Sequence, residues 1–268
     1  MRRAPTIGGV LLLAATAALA HDLFIKLDRY FLEPGASLSV PVLNGTFLVS
    51  ENSLEGDRIA DLSLVSPAGR ERLPMSAWSA RGDTSWVSLS VGEAGTYVVG
   101  LSVRPRELEL TGEEFNAYLE EDGIANILAL RRQKNEMTKG ARERYSKHVK
   151  AVFQAGERRS TGFATALGYP AEIVPLDNPY DLKAGGTLRL RCLVDGKPVA
   201  GLTVISGGDG PGGVAISPRS ATTGPDGTTA VTLDRAGRWY VKFVHMVPVT
   251  EQGLDYESKW ATLTFGLR

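Results

Sequence analysis

Cysteine is nearly absent: the 268-residue chain has one, Cys192. That excludes an intrachain disulfide and a thiolate zinc cluster. Histidine is almost as scarce, with only His21, His148 and His245. No charge of either sign is in surplus, since 30 Lys and Arg stand against 30 Asp and Glu. A nucleic-acid binder driven by bulk positive charge is therefore excluded. No apolar run long enough for a membrane helix follows residue 20. The Gly-x-Ser-x-Gly nucleophile elbow is missing, and no Ser-His-Asp motif or paired carboxylates stand out, so a hydrolase has no support and the chain does not read as an enzyme. What remains is ordinary globular composition, 43% hydrophobic and 22% charged, so a packed core is expected.

The N-terminus carries an address. Arg2 and Arg3 precede the apolar run Val10–Ala20, and Ala18-Leu19-Ala20 is a small-x-small cleavage site. This is the pattern of a secretory signal peptide over residues 1–20, and it predicts a periplasmic protein with no membrane span in the mature chain. Processing removes two arginines and makes His21 the first residue.

Residues 21–106 read as an N-terminal β-sandwich. Short alternating segments such as Ser37–Val42, Asp61–Val65 and Ser85–Val91 are separated by Pro-Gly and Gly-rich turns. Residues 107–163 read as a helical insert. Thr111 with Glu114 matches a capping box, and Tyr145, His148, Val149 and Val152 fall at helical spacing. The stretch Arg131–Arg144 reads as a solvated charged face. Residues 164–268 read as β again, with Leu188, Leu190, Cys192 and Val194 on one strand face and Gly207–Gly213 as a loop. That loop lacks the Lys-Ser/Thr ending of a phosphate loop and opens no helix. Cys192 belongs to a core face. The expected fold is mainly β: two immunoglobulin-like sandwich regions flanking a helical segment.

A mature N-terminal histidine offers two nitrogens. Its α-amino group titrates at about 7.7–8, so a metal can displace the proton. Amine and ring Nδ1 can chelate one ion, and a second imidazole would complete a histidine brace. Only His148 and His245 can supply it. His245 shares a strand face with Trp239, Val241 and Phe243 and stands at its end. His148 is expected on a helix beside Tyr145 and Lys147. Asp22, Asp255 and Glu257 are carboxylates placed to add a ligand. A nitrogen-rich set of this kind suits nickel, cobalt, copper or zinc.

Several segments then converge on one family. His21-Asp22-Leu23-Phe24-Ile25 directly after the signal, FNAYL at 115–119 with Gly123, ERYSKHVK at 143–150, NPY at 178–180, RWYVKFVHM at 238–246 and ESKWATLTF at 257–265 resemble an exported domain-of-unknown-function family. Its members are similar to accessory periplasmic proteins of nickel and cobalt uptake (NikM-like). The resemblance implies two β-sandwich regions with a helical insert, export, and handling of a divalent transition metal. It supports His21 and His245 as ligands and His148 less; Glu257 completes the candidate set. The expected function is capture or delivery of nickel or cobalt, with a membrane permease or outer-membrane receptor as partner. Copper is the chemical rival, in a brace protein or oxidase. A metal-free two-domain interaction module is the remaining alternative.

Overall fold

The computed structural model describes residues 22–268. The expected signal segment and His21 lie outside the described residues. The strands are β1 Asp22–Ile25, β2 Phe31–Leu32, β3 Ser37–Gly45, β4 Ile59–Ser66, β5 Gly69–Arg72, β6 Trp78–Arg81, β7 Thr84–Ser90, β8 Gly95–Leu110, β9 Ala141–Ala155, β10 Ala171–Pro175, β11 Gly186–Val194, β12 Lys197–Pro198, β13 Thr203–Asp209, β14 Ala215–Thr222, β15 Thr228–Leu233, β16 Gly237–Pro248 and β17 Tyr256–Leu267. Two helices, α1 Gly112–Glu121 and α2 Ala125–Gln133, interrupt them. The protein is mainly β, as its composition and turn spacing predict.

A nine-stranded sheet runs β14-β13-β16-β17-β9-β8-β4-β5, with β2 on the far end of β9. Its centre is the parallel pair β9–β17, in register from Tyr256 opposite Glu143 to Thr264 opposite Ala151. Strands from both ends of the sequence therefore share one sheet. A four-stranded sheet, β1-β3-β7-β6, lies on one face. Its first strand crosses the even-numbered side of β17, where the Thr262 and Thr264 hydroxyls donate to the Leu23 and Ile25 carbonyls. The helices cover the same face further along, packing Phe115, Tyr118 and Ile127 against Val244, Met246 and Trp260. The second four-stranded sheet, built on β11, covers the other face through β10. Leu188, Leu190 and Cys192 are fully buried beneath it, on the core face that alternation predicts.

Three local expectations need correction. The segment Ala141–Ala155 is not helical; it is β9, and His148 stands on a strand. Every residue from Ser146 to Ala155 is buried. A strand covered on both faces loses its period-two signal, and its continuous apolar run then mimics a helical stripe. Among the described residues α-helix is confined to 112–133, where Thr111 and Glu114 do form the capping box. Second, Arg131 is not solvated. It is 1% exposed, with its guanidinium donating to the Asn116 side chain and to the carbonyls of Glu136 and Lys139. Third, Gly207–Asp209 continue β13 instead of forming a loop. A Cβ on Gly207 would lie 2.6 Å from the Tyr240 hydroxyl, so the glycine there makes room for a ring.

Charged side chains are built into the buried strands. Lys150 on β9 donates to Glu172 on β10 at 3.0 Å, and both side chains are almost wholly buried. The Glu172 carboxylate also accepts from the backbone amides of Leu167 at 2.8 Å and Tyr169 at 2.7 Å. Burial lowers the Lys150 pKa, and Glu172 opposes that shift. Replacing Glu172 by Ala strands an ammonium and two amides in the core. We expect a loss of about 3–5 kcal/mol in urea denaturation; a loss below about 1 kcal/mol would mean that water reaches this site.

Candidate functional site

Strand register decides which predicted ligands meet. His245 on β16 stands opposite Lys259 on β17, and Lys259 stands opposite Ser146 on β9. Paired residues share a sheet face, as do residues two apart. His245, Lys259, Glu257, Ser146 and His148 therefore project from one face. His148, Glu257 and Lys259 line a cavity of about 220 Å3, together with Ser102, Ser146 and Asp195. Asp195 reaches it from the β11–β12 turn, where it and Gly196 take left-handed backbone conformations.

His148, Lys259, Asp195 and Glu257 already have partners. The His148 ring, 3% exposed, sits between two hydroxyls: Nδ1 is 2.9 Å from Ser102 Oγ and Nε2 is 3.0 Å from Ser146 Oγ. Burial and the nearby Lys259 ammonium push its pKa down to about 3. His245 is half-buried, and its pKa is lowered by the same two causes. Lys259 occupies the strand between them, with Nζ 2.7 Å from Asp195 and 3.5 Å from Glu257. Among the described residues no three His, Cys, Asp or Glu side chains are grouped to hold a metal.

The start of β1 lies on the opposite face. Asp22 is ion-paired to Lys242 at 2.5 Å, and Lys242 also holds Asp122 at 2.8 Å. Lys242 is three residues from His245, so the sheet separates Asp22 from that imidazole. Asp255 lies apart from both, bound to the Arg142 amide and to Lys139. Burial pushes the Asp122 carboxyl up to about 6 against the opposing pull of Lys242. Burial alone would lower the Lys242 pKa, but the two aspartates hold it above its usual value. Asp22 Oδ1 is buried with no hydrogen-bond partner. Beside this group Lys147 reaches Asn44 Oδ1 at 3.3 Å and lies over the Tyr145 and Trp260 rings. Burial brings its pKa down to about 8, with Asp22 opposing. Glu143 accepts from Tyr118 at 3.1 Å and from the Ser258 hydroxyl, and burial raises it to about 7.

None of Lys147, Lys242, Asp122 or Glu143 is a candidate site residue by sequence pattern. The available signal was a lysine inside an apolar strand, as in Val241-Lys242-Phe243. A charge there must find a partner or leave the core.

A family profile described as "Domain of unknown function (DUF4198)" matches residues 18–247. The chain belongs to the DUF4198 family. The DUF4198 match takes in His21, Asp22, His148 and His245 but stops short of Glu257. No curated protein matches the chain. Among solved structures, the tetra-tandem repeat in the extending region of a large adhesion protein aligns with 92% of this chain at 13% identity and a TM-score of 0.23. The chain spans about half (49%) of that longer protein chain.

The His148 environment has a direct readout. The unfolded chain protonates this ring near 6.5, the folded chain only near 3. Between those values the unfolded state holds the extra proton. The favourable contribution is thus complete above pH 6.5 and is lost as the pH falls toward 3. We expect the His148 ring resonances to stay flat in an NMR titration from pH 8 to pH 5, bounds set by the ordinary histidine range of about 6.5. A midpoint near 6.5 would place the ring in water.

Proposed function

We propose that this DUF4198 protein is an exported transition-metal-binding protein that holds nickel or cobalt at its processed N-terminus. The observation that carries the reading is Asp22. It starts a buried strand, is fixed by Lys242, and keeps one buried carboxylate oxygen without a partner. Cleavage after Ala20 would set a free amine and an imidazole one residue away. The donor set would then be the His21 amine and ring with the carboxylates of Asp22 and Asp122. Two nitrogens with carboxylate oxygens suit a late first-row divalent ion, and copper competes on the same chemistry. Delivery to a periplasm-facing uptake permease is the role that fits the NikM-like resemblance. Binding is favoured over catalysis because His148, the imidazole beside two hydroxyls, is held too far below neutrality to serve as a general base.

His245, His148 and Glu257 stand on the other face, which makes the reading testable. Protein exported with its own signal should have the intact mass of residues 21–268 and bind one metal per chain by calorimetric titration. One extra residue before His21, or Asp122→Asn, should weaken binding about tenfold or more. His245→Ala should change it less than about threefold. Undiminished affinity in the extended protein would sink the proposal. A large loss in His245→Ala would move the metal to the opposite face.

A further inference from the structure

A cavity of about 550 Å3 opens beside β1, between the end of β3, the single turn Gly56–Arg58, β8 and β9. Arg58, Arg106 and Lys147 line it, with Asn44, Asn52 and Tyr145. Its charge is lopsided. Arg58 is 8% exposed, and its Nη2 donates to the Arg104 carbonyl at 2.8 Å. Its Nε is buried with no hydrogen-bond partner. Among the described residues no carboxylate forms a salt bridge with it; its guanidinium lies 6.0 Å from the Tyr145 ring centre. Lys147, 6% exposed, reaches the Asn44 side chain at 3.3 Å, and Asp22 lies near it. The acids of this cavity are at its rim. Glu55 is well exposed and pairs with Arg106, while Glu107 is held by Arg142 and Arg144.

Two buried cations and a rim arginine thus surround a space large enough for a small organic ligand. A buried guanidinium with an unmet donor is costly unless an acceptor arrives. A planar oxyanion meets that need, because a guanidinium fork and an ammonium both donate charge-assisted hydrogen bonds to its oxygens. The asparagine amides add neutral donors for the rest of the molecule.

We propose that this cavity binds a small organic oxyanion, a carboxylate or a phosphate ester, between Arg58 and Lys147, with Arg106 at the mouth. Lys147 brings the cavity next to Asp22, so the site is tested on metal-free full-length mature protein, where metal binding cannot contribute. Calorimetric titration with citrate and, separately, with glycerol 3-phosphate should show saturable binding of at least one, weakening as salt is added. The tighter probe assigns the source as carboxylate or phosphate ester. Lys147→Met and Arg58→Met should each reduce affinity about tenfold or more. Arg106→Gln, at an exposed position, should reduce it about threefold or more with an unchanged melting temperature, which keeps the test valid if a buried variant fails to fold. The proposal is overturned if neither probe saturates the protein below about 10 mM, or if Arg106→Gln and Lys147→Met both bind as the wild type does.

Discussion

The parallel pairing of β9 with β17 is the constraint on which the rest of the molecule depends. A parallel pair cannot be closed by a hairpin and needs a long connection. Here β10 to β16 all lie between the two strands in sequence. Once they pair, β4, β5 and β8 from before the helices and β13, β14 and β16 from after them become one sheet. The two smaller sheets then have a face each to cover. The pairing also fixes which side chains can meet. Odd positions of β17 join even positions of β9 on one face, and the converse holds on the other.

That alternation divides the polar residues of the centre into two groups. One face carries His148, His245 and Lys259, closed by Asp195 and Glu257. The other carries Lys147 and Lys242 with Asp22, Asp122 and Glu143. Lys259 and Lys242 play the same physical part on opposite sides: each ammonium ties two carboxylates, so the local charge nearly cancels. Burying such charges costs several kcal/mol per ion unless paired. The cavity around Arg58 departs from this economy. There the cations outnumber the carboxylates, and a guanidinium nitrogen lacks an acceptor.

The same principle acts at Asp209 and Glu172. Asp209 is wholly buried and held by both Lys26 and Arg238, which links β1 to β13 and β16. Glu172 joins β10 to β9 through Lys150. Each buried pair thus ties a small sheet to the large one. Apolar contact alone would tolerate a slip along the strand. A buried ion pair does not, because a shift would separate two charges in a medium of low dielectric constant.

The sequence by itself determined the class of fold and much of its local detail. Turn spacing and alternation are local properties, so the β character, the capping box at Thr111 and Glu114, and the buried face around Cys192 were all legible. So was the short list of candidate ligands, because three histidines leave little choice. It was silent on the strand nature of 141–155, where burial on both faces erased the periodic signal. It was equally silent on which candidates meet. That His148, His245 and Glu257 share a face, that Asp22 lies across the sheet from them, and that Arg58, Arg106 and Lys147 converge on one cavity all follow from long-range strand register. Register between strands more than a hundred residues apart is set by the packing of the whole core, and no local pattern in the chain encodes it.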